Sequence, residues 1–177
     1  WYWKSLCGVD NIASMNKFTN SKDYIQFINM CETMHNNMLA DLGNQIKENI
    51  EDIRVIAIAG PSSSGKTTFT NRLRIELLTR GINPVMISMD DYYVNREDTP
   101  LGEDGKPDYE SIYALDIDLF NQQLMELIQG GEVVLPLFDF KEGKRKVGKT
   151  VKLLPNQPIL IEGIHALNEM VTSLIPK

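Results

Sequence analysis

Two cysteines among 177 residues are too few for a disulfide framework, and Cys7 and Cys31 fall in no CxxC or Cys/His spacing that would hold a metal. They read as reduced thiols of a cytosolic protein. No apolar run approaches the roughly 20 residues that span a membrane. No charged-then-apolar leader opens the chain, which begins at Trp1 instead of Met and reads as an excerpt from a longer polypeptide. Basic residues are the minority, with 18 Lys and Arg against 24 Asp and Glu for a net charge of −6. A surface built for nucleic acid is thereby excluded, because affinity for phosphate backbones rests on Lys and Arg. Hydrophobic residues at 42% and charged residues at 24% exclude collagen, coiled coil and wholesale disorder.

The length is that of one domain, enough to bury roughly 70% of the unfolded surface without a covalent or metal staple. Residues 1–50 contrast with the remainder. Trp1, Tyr2 and Trp3 form an aromatic cluster that reads as a packing segment, since a base-stacking platform needs surrounding cations and only Lys4 is near. Ser21 has the character of an N-cap. Beyond it Tyr24, Ile28, Cys31, Met34, Met38, Leu42, Ile46 and Ile50 recur every three or four residues, as in an amphipathic helix that Gly43 interrupts. His35 has no second ligand one turn away and reads as a packing histidine. No chemistry is expected here.

Ile53 to Ala59 reads IRVIAIA, a β-branched run suited to a parallel strand buried on both faces. It leads into Gly60-Pro61-Ser62-Ser63-Ser64-Gly65-Lys66-Thr67, which matches GxxxxGK[ST] at every fixed position. A helical pattern follows through Phe69, Leu73, Ile75, Leu77 and Leu78 to Gly81. Gly60 and Gly65 allow backbone angles and close approach that a Cβ would block. Successive N–H groups, with Thr68 continuing the run, then form an anion nest at the positive end of the new helix. Lys66 adds a point charge for β- and γ-phosphates, and the Thr67 hydroxyl suits a hydrated Mg²⁺. Strand before and helix after is the context this motif requires.

Two acids narrow the reading. Asn83 to Met89 is a second short apolar strand ending in Asp90, and Pro158 to Ile161 is a third, followed by Glu162-Gly163. Ligands of open α/β sheets bind at the carboxyl ends of strands, so both carboxylates are expected beside the phosphates. Thr67, Glu162 and Asp90 make a plausible Mg²⁺ shell, and a carboxylate left to accept a proton makes a general base for an attacking hydroxyl. Strand-end caps are the bland alternative. A signalling GTPase would need DxxG after the loop and NKxD later, and neither occurs; a helicase or transporter ATPase would be larger. A small-molecule kinase remains.

With these residues assembled, the chain resembles the uridine kinase and phosphoribulokinase family of P-loop kinases, most closely uridine-kinase-like members with a synthetase-like region upstream. Four ordered motifs carry the resemblance between about Arg54 and Leu167: GPSSSGKTT, ISMDDYY, PLFDF with a basic stretch, and ILIEGIHALN. It implies an α/β fold, a three-layer parallel sheet of P-loop NTPase type, incomplete at the C-terminus and preceded by the helical segment. The expected division is 1–50 and 51–177. The implied activity is transfer of a γ-phosphoryl group from ATP (or GTP), with Mg²⁺, to a nucleoside-like hydroxyl. Asp90 matches the family's catalytic acid and Glu162 the Mg²⁺-holding EG motif, while Lys66 serves catalysis as well as binding. Asp108 resembles an acid that grips ribose, and Phe138, Tyr93 and Arg145 complete the expected substrate set.

The sequence departs from that pattern at the acceptor. Phe138 stands where pyrimidine nucleoside kinases carry a base-contacting Tyr, Gly143 where they have His, and Tyr109-Glu110 replaces His-Pro. A site built to hydrogen-bond one base loses discrimination without those partners. Two alternatives therefore stay open: a kinase of another alcohol, like phosphoribulokinase or pantothenate kinase, and a nucleotide-binding module without turnover. Lys141 to Lys152 is strongly basic and, flanked by apolar runs Val133–Leu137 and Val151–Leu154, is expected at the turn of a β-hairpin facing water. The family's lid arginines and two further strands are not in this sequence. The Ile53–Ala59 strand is accordingly expected at an apolar edge, covered by further chain or by another copy in a homo-oligomer.

Overall fold

A computed structural model of the chain describes residues 5, 7–19, 22–173 and 175. Trp1 to Lys4 and Ser21, read above as a packing segment and a cap, lie outside the described residues. The chain divides into two compact units, residues 1–44 and 45–177. The first contains helix α1 (Ile12–Thr19) and most of α2 (Tyr24–Glu48), which runs through Gly43 without a break. A single helical glycine costs only about 1 kcal/mol relative to Ala, too little to end a helix of this length. Phe18 and Phe27 stack with ring centroids 4.8 Å apart. Of the expected apolar stripe Ile46 is buried, whereas Tyr24, Ile28 and Met38 are exposed. Cys7 and Cys31 are unpaired thiols. Among the described residues no helix is long and apolar enough to cross a membrane.

The second unit is an α/β structure around three parallel strands in the order β1 (Val55–Ala59), β5 (Ile159–Gly163), β2 (Val85–Ser88). Val55 pairs with Ile159 and Val85 with Ile159 on its other side, so the third strand in sequence lies in the middle. That explains its burial: Ile159, Leu160 and Ile161 are wholly enclosed. Among the described residues β1 pairs only with β5, and its five residues are all half-buried, so it stands at an edge of the sheet.

Helix α3 (Lys66–Thr79) follows the glycine-rich loop and buries Thr70, Leu73 and Leu77. Ile75 and Leu78, counted in its apolar pattern, are exposed, because one helix side suffices to cover the sheet. Gly81 closes the helix with φ +80°, letting Ile82 N–H donate to Leu77 O at 2.9 Å. Helix α4 (Ile117–Ile128) begins at Asp116, whose side chain accepts from Leu119 N–H, and buries Ile117, Phe120, Leu124 and Leu127. These join Ile87, Met89, Tyr92, Val133, Leu135, Ile159 and Ile161 in the principal core. Residues β3 (Glu132–Asp139) and β4 (Lys144–Lys152) form an antiparallel hairpin, and a one-turn helix α5 (Glu169–Thr172) follows β5.

The basic stretch is therefore not the hairpin's turn. Lys144 to Lys152 is strand β4 itself, and only Phe140 to Gly143 turns. Charged residues are tolerated because an antiparallel pair can leave one face to water. Asp139 pairs with Lys144 in register, and Lys146 reaches Asp139 at 2.7 Å and Glu142 at 3.0 Å.

Candidate active site

The loop between β1 and α3 is built on local backbone geometry. Gly65, at φ +88°, is the N-cap of α3 in the left-handed region. Ser63 sits at φ +56°, a strained position for a residue with a Cβ and one of the kind that gathers at functional loops. A Cβ on Gly60 would lie 3.0 Å from Ser64 Oγ and 3.3 Å from Lys66 Cγ, so the loop folds tightly on itself there. Lys66 Nζ donates to Pro61 O at 2.8 Å, which holds the ammonium over the loop. Pro61 through Gly65, Thr67 and Thr68 are exposed, and Gly60 and Lys66 are half-buried. The result is an exposed cradle of backbone donors with one cation above it.

The two strand-end acids meet this cradle. Thr67 Oγ1 donates to both oxygens of Glu162, each at 3.0 Å, across 95 residues of sequence. Glu162 is the penultimate residue of strand β5 and does not belong to the loop beyond it. Asp90 opens onto solvent from a short 3₁₀ turn (Met89–Tyr92) at the end of β2. Protein crowded around its carboxyl raises its pKa above the ordinary 3.8, and Lys66 partly offsets this. That coupling places Asp90 in the electrostatic reach of the loop lysine.

Gly163 sets how closely β5 approaches the Met89–Tyr92 turn: a Cβ there would stand 2.7 Å from Met89 Cβ and 2.9 Å from its Cγ. The missing side chain lets β5 pack against the turn that carries Asp90. Among the described residues no group of three or more His, Cys, Asp or Glu could hold a metal unaided. The donor set nonetheless fits Mg²⁺, which takes one or two carboxylates and completes its shell with water and substrate phosphates. Thr67 and Glu162, already in contact, would hold it, with Asp90 nearby.

Of the expected substrate residues, Phe138 and Arg145 lie on the hairpin, Tyr93 packs against Phe138, and Asp108 lies on a separate loop. Phe138 is buried, with Tyr93 and Phe140 at centroid distances of 5.6 and 5.1 Å. Tyr93 is half-buried, and its hydroxyl donates to Tyr109 O at 3.0 Å. Its pKa is pushed up by burial first, and then by Asp90 and Glu110. Arg145 is held in an ion pair, Nη1 to Asp116 Oδ2 at 2.7 Å. Asp108 Oδ1 accepts from Glu110 N–H at 3.0 Å and Ser111 N–H at 3.2 Å, so this carboxylate shapes its own loop. His165, on the turn after β5, contacts Glu110 O through Nε2 at 2.8 Å.

Sequence reading missed the residues that tie the hairpin to the Asp90 segment. Asp91 Oδ1 accepts from Phe138 N–H at 3.1 Å, and Asn95 Oδ1 from Arg145 N–H at 3.2 Å. Arg96 donates through its backbone N–H to Gly143 O at 2.8 Å and through Nη2 to Phe140 O at 2.7 Å. A Cβ on Gly143 would meet Arg96 Nε at 2.7 Å, which gives that glycine a packing reason. Only the doubled acid Asp90-Asp91 hinted at any of this.

Comparison with known proteins agrees with the geometry. Residues 55–175 match the model of the "Phosphoribulokinase / Uridine kinase family". A uridine kinase from Macrococcus caseolyticus is 35% identical over 113 residues, covering 64% of this chain and 53% of that protein. The Arabidopsis thaliana protein named inorganic pyrophosphatase TTM2 is 32% identical over 125 residues, 71% of this chain but 17% of its own length. Among solved structures, a possible uridine kinase from Bacillus stearothermophilus superposes with a TM-score of 0.62 at 27% identity, covering 78% of each chain. The chain spans about half the length of the bacterial relatives it matches.

Proposed function

The chain belongs to the phosphoribulokinase and uridine kinase family, and from that premise we propose that it forms the phosphate-binding and base-bearing core of a kinase. The kinase transfers the γ-phosphoryl group of ATP or GTP to the hydroxyl of a nucleoside-like acceptor. The observation that carries this reading is the convergence of a glycine-rich loop, the Thr67–Glu162 contact and the raised-pKa Asp90 at one end of the sheet. Phosphoryl transfer asks the protein mainly for positioning and charge stabilisation. The loop amides and Lys66 bind the donor phosphates. Thr67 and Glu162 would hold Mg²⁺, which would supply positive charge to neutralise the phosphates. Asp90, its carboxylate less stable than usual, accepts the acceptor's hydroxyl proton.

The reading is tested by following ADP release from the intact polypeptide with Mg²⁺ and a panel of nucleosides. Acceptor-dependent release supports it, and nucleotide binding with no acceptor-dependent release at any nucleoside overturns it. A narrower prediction concerns the loop. Lys66→Ala removes a charge-assisted contact worth roughly 1.5–3 kcal/mol, so nucleotide affinity should fall about ten- to a hundredfold. Calorimetric titration reads this directly, and equal affinities for the two proteins would remove Lys66 from the site.

A further inference from the structure

His165 belongs to the ILIEGIHALN run but has no part in the chemistry derived above. It lies on the turn that leaves β5, just beyond Glu162 and Gly163. That turn is fixed at both ends. Ala166 is wholly buried in the core, and His165 O accepts from the N–H of Asn168, the cap of α5, at 2.9 Å. The half-buried imidazole therefore projects from a firm base.

Its Nε2 lies 2.8 Å from Glu110 O. A carbonyl only accepts, so Nε2 carries the proton, as it does in one neutral tautomer and in the imidazolium. The preceding carbonyl, Tyr109 O, accepts from the Tyr93 hydroxyl at 3.0 Å. Two successive carbonyls of one loop are thus gripped from two strand ends. Tyr93 directly follows the turn that carries Asp90, and His165 follows Glu162.

The gripped loop bears Asp108, and its own hydrogen bonds settle its shape. Asp108 N–H donates to Pro100 O at 2.7 Å and Gly102 N–H to Lys106 O at 2.8 Å. The side chains of Tyr109 and Glu110 are exposed, so burial contributes little there and the two carbonyl contacts carry more of the attachment. Glu110 links both tasks: its carbonyl meets His165, and its N–H donates to Asp108 Oδ1 at 3.0 Å. A shift of Glu110 is passed directly to that carboxylate. We infer that His165 is a positioning residue for the acceptor: with Tyr93 it clamps Tyr109 and Glu110, and so sets where Asp108 stands relative to Asp90 and Glu162. The inference rests on the kinase reading above, with Asp108 on the acceptor. The phosphate loop takes no part in the clamp, so donor binding is independent of it.

Three variants of the intact polypeptide separate the donor from the ring. His165→Phe keeps a planar ring without the N–H, and His165→Leu lacks the N–H with a different shape. His165→Gln offers an N–H as many bonds from Cβ as Nε2. Amide hydrogen exchange at Glu110 and Ser111, both donors to Asp108, should quicken about three- to tenfold in the Phe and Leu variants and stay near parental in Gln. With the best nucleoside as acceptor, its KM should rise about three- to tenfold in Phe and Leu, with kcat within about threefold and nucleotide affinity unchanged. His165→Gln should recover the acceptor KM. Parental exchange in both Phe and Leu variants overturns the clamp. Faster exchange with an unchanged acceptor KM, equal losses for acceptor and nucleotide, or no recovery in Gln overturns the positioning role. A parent that turns over no acceptor overturns the kinase reading and the acceptor role with it, while exchange at Glu110 and Ser111 still decides the clamp.

Discussion

Replacing Asp90 by Asn in the intact polypeptide should lower kcat by roughly 10²–10⁴-fold, the range lost when a general base is removed. Asn keeps the size and a hydrogen-bonding carbonyl but cannot accept a proton at working pH. Nucleotide affinity should change far less, because Lys66 and the loop amides are untouched. The pH profile gives a second reading. Crowding by the protein raises the Asp90 pKa above 3.8 against the partial opposition of Lys66. A base works deprotonated, so turnover should fall as pH drops through that raised value, and the acidic limb should vanish from the residual activity of Asp90→Asn.

Stability should move the other way. A carboxyl whose folded pKa exceeds its unfolded value binds its proton more tightly in the native state, so stability declines as pH rises from the unfolded value through the folded one. In metal-free protein at neutral pH, Asp90→Asn should therefore melt at or above the parent temperature. An active, unaltered pH profile in the variant would show that another group takes the proton.

The parts of this structure that local chemistry dictates were legible in the sequence. Ile53–Ala59, the GxxxxGK[ST] run and the helix after it form a contiguous unit, and each residue type has a local reason to be where it is. Asp90 and Glu162 were legible by one further step, because strand ends collect at one edge of a parallel sheet. What stayed hidden depends on tertiary register. Whether Lys144–Lys152 turns or pairs is decided by its ladder partners on β3, among them Val133 and Val134, which pair with Val151 and Thr150, not by its own charge. The hydrogen bond from Phe138 N–H to Asp91 joins residues 47 apart, and the Arg145–Asp116 pair spans 29. Helix α4 is a different case. Asp116 followed by Ile117, Phe120, Leu124 and Leu127 is a capped amphipathic pattern readable in the sequence, but no chemical motif draws the eye to it.

Gly163 shows how a residue without a side chain can govern the site, and Gly163→Ala should cut kcat by about a hundredfold. Its backbone φ lies outside the left-handed region, so alanine meets no conformational penalty there. The obstacle is steric. The new methyl would stand 2.7 Å from Met89 Cβ, an atom fixed to the backbone and unable to swing aside as a side-chain tip could. Met89 is itself 1% exposed and packed in the core, so it has little room to retreat. The strain must be relieved by moving the end of β5 or the Met89–Tyr92 turn. One carries Glu162 and the other Asp90. Overpacking of this kind costs about 1–3 kcal/mol of stability, but a displacement of about 1 Å at a reacting group can cost 10²-fold in rate. Activity should therefore fall much further than the melting temperature suggests, while nucleotide affinity, set by the loop, stays within a few fold. Pairing Gly163→Ala with Met89→Gly removes the Cβ, Cγ and Sδ contacts at 2.7, 2.9 and 3.0 Å and should restore part of the lost turnover. Parental kcat in Gly163→Ala would mean that the two strand ends need not approach this closely for catalysis.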